Sequence, residues 1–157
     1  MKEGRVVLIF VSPDKGLPMQ SVDRAEAVAG TGLKGDRYAE GKGAYSSSKR
    51  KTIRQVSLIE LEAIGRANVE SATAFTPRDS RRNILTSGVD LNALVGRKFK
   101  IGDVEMLGVE LCEPCDRPSN LTGKRGFNEA FQERGGLRAE ILTSGIIYSN
   151  STIEDVD

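Results

Sequence analysis

The chain contains two cysteines, Cys112 and Cys115, which lie three positions apart in the segment LCEPCDRPSN. Such a C-x-x-C pair serves as a redox dithiol, as half of a zinc site or as the setting of one reactive thiol. Cys112 ends an apolar segment, which is typical of a buried cysteine that packs as a small hydrophobic residue. Cys115 lies in a polar loop beside Asp116 and Arg117, where a thiol near arginine is nucleophilic or ligates a soft metal. Cys115 is therefore the candidate catalytic residue and the candidate metal ligand.

The remaining composition excludes several of these chemistries. The chain has no histidine, which excludes Ser-His-Asp and Cys-His catalysis. Two cysteines without histidine cannot supply a four-ligand structural zinc site, so no zinc is expected. A redox dithiol of the thioredoxin kind needs a helix that starts at the first cysteine. Pro114, Pro118 and the polar residues that follow disfavour such a helix.

Three arginines, Arg78, Arg81 and Arg82, precede the segment NILTSG. The planar guanidinium fork matches the geometry of phosphate and carboxylate groups. If a strand begins at Asn83, the side chains of Arg81 and Asn83 lie on the same face, where the strand enters the core. This polar face favours a ligand wall. A basic loop that faces water is the alternative that the sequence leaves open.

The segment GTGLKG at residues 30–35 matches G-x-G-x-x-G, but no helical pattern follows it. A dinucleotide site needs that helix to bind the pyrophosphate. A glycine-rich loop without the helix can still bind an anion through its backbone N–H groups. Lys34 and Arg37 would add positive charge to such a loop. A surface turn with solvated charges is the alternative.

Charge and aromatic content bear on nucleic-acid binding. The formal net charge is +1, and the basic segment SSSKRKTIRQ has only Tyr45 next to it as an aromatic residue. A nucleic-acid binder carries a broad basic surface, often with aromatic side chains on which bases stack. No nucleic-acid partner is expected.

The apolar patterning predicts many short strands and few helices. A helix is expected from Ser57, because Glu60 completes a capping-box spacing, and another within residues 126–136. With 17 glycines in the chain, the pattern indicates a mainly β fold, a β-barrel with a few short helices. The expected strands are Val6–Val11, Val22–Ala29, 51–58, 83–86, 98–101, 104–112 and two within 137–149.

The length of 157 residues predicts one domain. We assign it to residues 1–150 and expect residues 151–157 to form a loose polar tail. The apolar run Val6–Val11 is too short to span a bilayer or to form a signal peptide. No membrane association and a cytoplasmic location are expected.

Several segments together resemble one family. They occur in the order seen in MOSC domains, the molybdenum cofactor sulfurase C-terminal domains, and the chain is similar to a small stand-alone bacterial-type member. That resemblance implies a mostly β barrel like the one inserted in pyruvate kinase, and binding of the molybdenum cofactor (molybdopterin) or carriage of sulfur. The segments are GTGLKGDRY, TIRQVSLIE, RRNILTSGVDLNALVGRKFKIGDV, CEPC and RGGLRAEILTSGII.

The resemblance also implies roles for particular residues. Cys115 matches the family's key cysteine, whose thiol takes a persulfide sulfur or ligates molybdenum. The remaining matched positions, together with Lys34, would surround the pterin and its phosphate. They are Gly35, Asp36 and Arg37 in the GDR loop, Arg81, Asn83 and Ile84 in the R-x-N-I segment, and Arg134, Gly135 and Gly136 in the RGG turn.

Two departures from the family pattern bear on the function. Many members carry histidine where this chain has Tyr38, and many end with GD after the last strand, where this chain reads YSNSTIEDVD. In addition, the pyridoxal-phosphate domain of the sulfurases has no counterpart in this chain. The resemblance therefore implies an external sulfur donor, a cysteine desulfurase, or a partner enzyme that uses the molybdenum cofactor. Three alternatives remain open: a molybdenum-dependent reductase, a sulfur carrier, and a non-catalytic cofactor-binding or interaction domain.

Overall fold

The computed structural model describes residues 4–41, 43 and 54–156 of the chain. Within these residues the strands are β1 Gly4–Val11, β2 Gln20–Val22, β3 Arg24–Val28, β4 Gly32–Leu33, β5 Val56–Glu60, β6 Ile84–Ser87, β7 Lys98–Ile101, β8 Val104–Leu111, β9 Leu137–Ile141, β10 Gly145–Tyr148 and β11 Thr152–Asp155. The α-helices are α1 Leu61–Glu70, α2 Arg117–Thr122 and α3 Phe127–Ala130, and 3-10 turns form at Pro77–Ser80 and Leu91–Leu94.

Seven of the described strands close into a barrel. Around the barrel they follow the order β1, β11, β7, β8, β9, β5 and β6, and β6 pairs with β1 to complete the circle. All neighbours are antiparallel except β5 and β6, which run parallel. Strand β2 extends the sheet from β1, and a separate small sheet contains β10, β3 and β4. The predicted mainly β barrel with a few short helices is confirmed.

The barrel interior is filled by alternate residues of its strands. Along β9, Leu137, Ala139 and Ile141 are buried while the residues between them are partly exposed. This period of two places one face of each strand in the core. The interior cluster includes Val6, Ile9, Leu58, Ile84, Phe99, Ile101, Val104, Met106, Leu137 and Ile141.

A second apolar cluster lies outside the barrel, under α1 and α3. Phe127 and Phe131 stack with ring centroids 4.4 Å apart, and the edge of Phe75 packs against both rings. The cluster also contains Ile59 and Leu85, which belong to β5 and β6. These two strands therefore have apolar neighbours on both faces, and the second cluster attaches the helices to the barrel wall.

The structure corrects the predicted C-terminal tail. Residues Thr152–Asp155 form strand β11, which pairs with β7 on one side and with β1 on the other. Only Ile153 of this segment is buried, so the apolar pattern was too weak to indicate a strand. Backbone hydrogen bonds to two open strand edges, which would otherwise be unpaired, hold the segment in place.

The predicted helix start at Ser57 is wrong. Strand β5 continues to Glu60, and α1 begins at Leu61 without a side-chain cap. The Ser57 hydroxyl lies 3.3 Å from the Asn83 side-chain oxygen, and a Glu60 carboxylate oxygen accepts a hydrogen bond from the Leu91 N–H at 3.2 Å. Both side chains are thus used in contacts between segments, and no capping box forms.

Other elements agree with their predictions to different extents. The hairpin of β7 and β8 and the strand β6 are confirmed, while the predicted strand 22–29 is two strands, β2 and β3. Residues 51–53 of the predicted strand 51–58 lie outside the described residues. The helix α2 was not expected, but Pro118 lies in its first turn, where proline needs no hydrogen-bond donor.

Candidate anion-binding site

One end of the barrel gathers most of the candidate residues. Strands β5 and β6 run parallel and start at this end. Strand β9 is antiparallel to both β5 and β8, and its first residue, Leu137, pairs with Leu58 of β5 on one side and with Leu111, the last residue of β8, on the other. Strand β1 is antiparallel to β6, so it also ends here. The segments that precede β5 and β6 and follow β1 and β8 therefore meet around one opening.

An inner cleft, the first of two at this end, opens to solvent and has about 400 Å³ of empty space, open solvent included. Five arginines and no acidic residue line it, which is unusual because like charges in one cleft repel each other and are costly to desolvate. Such a concentration of guanidinium groups favours an anionic ligand. The lining residues are Arg37, Tyr38, Arg54, Gln55, Val56, Ser57, Arg81, Arg82, Asn83, Cys112 and Arg138.

An outer cleft, with about 710 Å³ of empty space, lies next to it. The two clefts share Arg54, Arg82 and Arg138, and we call these three residues the arginine seam. Cys115 lines the outer cleft and not the inner one. The outer cleft is completed by Glu110, Leu111, Glu113 and Pro114.

Arg37 is held in place by its immediate neighbour. Asp36 is fully buried, and its Oδ1 lies 3.1 Å from the Arg37 guanidinium and accepts the Ser12 N–H at 3.1 Å. The Arg37 guanidinium also donates to the carbonyl oxygen of Arg81 and stacks 4.9 Å from the centre of the Tyr38 ring. Asp36 therefore positions Arg37 at the cleft wall, and its carboxylate is occupied by protein donors.

Arg81 has a strained backbone and a constrained side chain. Its φ of 60° lies in the left-handed region, which is rare for residues other than glycine. Its guanidinium donates to the carbonyl oxygens of Leu17 and Lys15 at 2.8 and 3.0 Å. Burial, followed by the positive charges of Arg37 and Arg117, lowers the pKa of Arg81 to about 10. The side chain thus fixes the loop after β1 at the rim of the site.

Asn83 connects three segments. Its side-chain oxygen accepts the Ser57 N–H at 3.1 Å, and its side-chain nitrogen donates to the Phe10 carbonyl oxygen at 3.1 Å. These contacts satisfy backbone groups where β5, β6 and β1 converge. Asn83 lines the inner cleft, but its polar atoms already have protein partners.

Two arginines of the seam differ from Arg37 and Arg81 in how their donors are used. Arg82 donates its Nε–H to the Gly135 carbonyl oxygen at 2.8 Å, and the described residues show no hydrogen bond from its two terminal nitrogens. One terminal nitrogen of Arg138 donates to a Glu110 carboxylate oxygen at 2.5 Å. The described part of the chain shows no hydrogen bond from its other terminal nitrogen. Each side chain is anchored at one point and has donors left for a ligand.

The two cysteines occupy different environments. Both are thiols rather than a disulfide. Cys112 is 3% exposed, follows β8 directly and contributes to the inner cleft. Cys115 is partly exposed and lies on the wall of the outer cleft, which it shares with the arginine seam.

Seven of the residues predicted to surround the cofactor do not line either of these clefts: Lys34, Gly35, Asp36, Ile84, Arg134, Gly135 and Gly136. Lys34 is exposed and lies 3.6 Å from Glu26, and Gly35 is an exposed turn residue beside it with a φ of 88°. Arg134 pairs with Glu70 of α1 on another face. Gly135 contributes only indirectly, through its carbonyl bond to Arg82.

The arginine seam is the part of the site that the sequence does not predict. From sequence, Arg54 belongs to a basic surface segment, Arg82 is one of three neighbouring arginines, and Arg138 has no predicted role. Their common signal is position, since each stands within two residues of the start of β5, β6 or β9. That signal becomes informative only when the strand pairing is known, which places Arg138 opposite Ser57 of β5 and Leu58 of β5 opposite Ile84 of β6.

Within the described residues, no group of three or more cysteine, aspartate or glutamate side chains is placed to hold a metal ion. In the same part of the chain, none of the helices has the length and apolar character required to cross a membrane.

Comparison with known proteins shows the family. The family model for the MOSC domain matches residues 45–154, and the chain belongs to the MOSC domain family. The fold is similar to the YuaD protein from Bacillus subtilis, with a TM-score of 0.78 and 18% identity over 98% of this chain and 96% of that one. It is also similar to YiiM from Geobacillus stearothermophilus, with a TM-score of 0.73 and 12% identity over 98% of this chain and 75% of that one. YiiM from Escherichia coli gives a TM-score of 0.68 and 17% identity over 98% and 70% of the two chains. No curated protein matches the chain in sequence.

Proposed function

We propose that the protein binds the molybdenum cofactor in the inner and outer clefts and uses Cys115 for sulfur chemistry on that cofactor or on its partners. The observation that carries this proposal is the arginine seam, which joins an acid-free cleft to the cleft that contains the Cys115 thiol. Membership of the MOSC family supports the choice of cofactor.

The residues present fit the cofactor's chemistry. Its phosphate is a dianion near neutral pH, and the terminal nitrogens of Arg82 and Arg138 are charged donors suited to phosphate oxygens. The pterin carries many polar groups, and the inner cleft offers Gln55 and Tyr38 beside the apolar Val56. When bound, the cofactor supplies a metal with sulfur ligands at which oxygen or sulfur atoms are exchanged. A thiolate such as that of Cys115 is a suitable protein ligand for such a soft site.

The chain's own residues then have distinct tasks. Arg37 and Arg81 shape the inner cleft, because their donors are committed to the Asp36 carboxylate and to backbone carbonyl oxygens. Arg82 and Arg138 bind the anionic group. Cys115 is the nucleophile that takes up a sulfur atom as a persulfide or, in the second form of the proposal, the protein ligand of the metal.

Metal analysis tests cofactor binding and separates the two forms. Protein purified from a molybdate-supplied host is expected to contain molybdenum in proportion to protein, and Arg82→Gln is expected to lower that content. The matched control is Arg134→Gln, which removes the same charge outside the clefts and should leave the content unchanged. Loss of molybdenum in Cys115→Ser indicates ligation, whereas retention indicates sulfur carriage. Absence of molybdenum from the wild-type protein under these conditions contradicts cofactor binding.

Sulfur carriage has its own measurement. After incubation with a cysteine desulfurase and cysteine, mass spectrometry should show one added sulfur atom on the peptide that contains Cys115. An unchanged mass while the desulfurase turns over would contradict a carrier role.

A further inference from the structure

We propose that the outer cleft takes a small dianionic sulfur donor, an oxyanion that carries a sulfane sulfur, and that Cys115 accepts this sulfur without a donor protein. The inference rests on the sulfur-carrying form of the proposed function and names the chemical class of its donor. Thiosulfate is the simplest compound of this class and serves as the probe.

The first argument is electrostatic. A thiolate and a dianion repel each other, so their reaction requires positive charge at the point where they meet. The outer cleft places three guanidinium groups, those of Arg54, Arg82 and Arg138, on the same walls as Cys115. Two carboxylates, Glu110 and Glu113, offset part of this charge, but Glu110 is bonded to Arg138 and holds it in position. The inner cleft behind the seam adds Arg37 and Arg81 and no acid.

The second argument is the supply of hydrogen-bond donors. An oxyanion with three terminal oxygens needs several donors at fixed positions. Arg82 is anchored through its Nε–H to Gly135, with no protein acceptor shown for its terminal nitrogens among the described residues. Arg138 is anchored through one terminal nitrogen to Glu110. An anchored guanidinium loses little conformational entropy when it binds a ligand, so the seam is suited to a small anion with few contacts to offer.

The third argument is access. Cys115 is partly exposed and lines a cleft of about 710 Å³ that is continuous with solvent. A small inorganic anion that enters this cleft can therefore come into contact with Cys115 without any movement of the fold. Cys112 is 3% exposed, so the reaction is assigned to Cys115 alone.

The step balances without an oxidant or reductant. The Cys115 thiolate attacks the outer sulfur of thiosulfate, a new sulfur–sulfur bond forms, and the sulfur–sulfur bond of the donor breaks. Sulfite leaves with the bonding electron pair, and the protein holds a persulfide anion. With cyanide as the acceptor probe, the outer sulfur leaves as thiocyanate and the Cys115 thiolate is restored.

The test measures sulfite release and the mass of the protein after addition of thiosulfate alone. Sulfite should form in one equivalent per chain, with one sulfur atom added on the Cys115 peptide, and cyanide should make the reaction catalytic. Arg82→Gln is expected to lower kcat/KM for thiosulfate about tenfold or more, mainly through KM, since one charge-assisted contact is lost. Lys34→Gln, which changes an exposed residue outside both clefts, should match the wild-type protein.

Two results overturn the inference: no sulfite and no added sulfur on the wild-type protein, or undiminished sulfite release by Cys115→Ser. If Cys115 is loaded by a cysteine desulfurase but not by thiosulfate, the proposed function stands and this inference is wrong. If neither the desulfurase nor thiosulfate loads Cys115, both this inference and the sulfur-carrying form of the proposed function are wrong.

Discussion

Arg82 donates its Nε–H to the carbonyl oxygen of Gly135 at 2.8 Å. This bond ties the arginine-rich segment before β6 to the glycine turn before β9, although 53 positions separate the two residues. It fixes the guanidinium at the seam between the two clefts, so that its terminal nitrogens can act on a ligand. Arg82 therefore supplies both a positive charge and a fixed orientation of that charge, and a substitution can remove one without the other.

Arg82→Lys separates these properties. Lysine keeps the charge but has neither the fork nor the Nε–H that bonds to Gly135. We expect the affinity for pyrophosphate, measured by isothermal titration calorimetry at constant ionic strength, to fall about tenfold, because charge-assisted contacts contribute about 1.5–3 kcal/mol. Arg82→Gln should lower it at least as much. Equal affinities for Arg82→Lys and the wild-type protein would show that charge alone matters at this position.

The contrast between Arg138 and Arg134 tests where the anion binds. The family pattern indicates Arg134, whereas the structure places Arg138 in both clefts and Arg134 beside Glu70. Arg138→Gln should reduce pyrophosphate affinity about tenfold, and Arg134→Gln, which removes the same charge four residues earlier, should leave it within about twofold. Titration of the two variants side by side measures this. A larger loss of affinity in Arg134→Gln than in Arg138→Gln would show that the anion binds at Arg134.

The sequence predicts the structure correctly where the local pattern decides it. The β7–β8 hairpin follows from two apolar segments around Gly102 and Asp103, and Arg81 and Asn83 do line one cleft together. The sequence does not predict the structure where closure of the barrel decides it. Strand β11 forms because two strand edges are available to it, and no property of its polar sequence indicates this.

The arginine seam is not predicted from sequence for the same reason. Arg54, Arg82 and Arg138 are far apart in sequence and come together because β5, β6 and β9 are neighbours around the barrel. In the motif RGGL, the residue before the two glycines, Arg134, donates to Ala130 and to Glu70 of α1. The clefts are lined by Arg138, which follows the glycines. The motif therefore marks a turn that contacts Arg82 through the Gly135 carbonyl oxygen, while the arginine of this segment that lines the clefts is Arg138.

Asp36 is predicted to contribute to stability rather than to bind ligand. Its buried carboxylate accepts N–H groups from Ser12, Tyr38 and Arg37. Asp36→Asn leaves the Arg37 guanidinium buried without its counter-charge, which costs about 3–5 kcal/mol in comparable buried pairs. Urea unfolding should show this loss in the free energy of unfolding. The control Asp23→Asn changes an exposed carboxylate and should have an effect below about 0.5 kcal/mol.

The Glu70–Arg134 pair predicts a local pH dependence. The hydrogen bond from Arg134, followed by its charge, lowers the pKa of Glu70 below its ordinary value of 4.5. The pair therefore stabilises the fold above that ordinary value, and its contribution is lost as the pH falls through the lowered pKa. Arg134→Gln should raise the pKa of Glu70 towards 4.5, as followed by NMR of its carboxyl carbon. An unchanged titration would contradict the hydrogen bond.

Gly136 is predicted to tolerate no side chain, because two physical constraints act on it at once. Its φ of 111° is a conformation that residues with a Cβ rarely adopt, and a Cβ there would overlap the carbonyl oxygen of Leu58. Gly136→Ala should reduce the free energy of unfolding by about 3 kcal/mol or more, since strain and steric overlap both contribute. Gly65→Ala is the matched control, because Gly65 lies within α1 with no neighbouring heavy atom within 4 Å of the added Cβ. That variant should be more stable than the wild-type protein by about 0.4–1 kcal/mol, as alanine favours the helix. Denaturant unfolding of both variants measures the difference, and a Gly136→Ala protein as stable as Gly65→Ala would contradict the close approach of the β9 turn to β5.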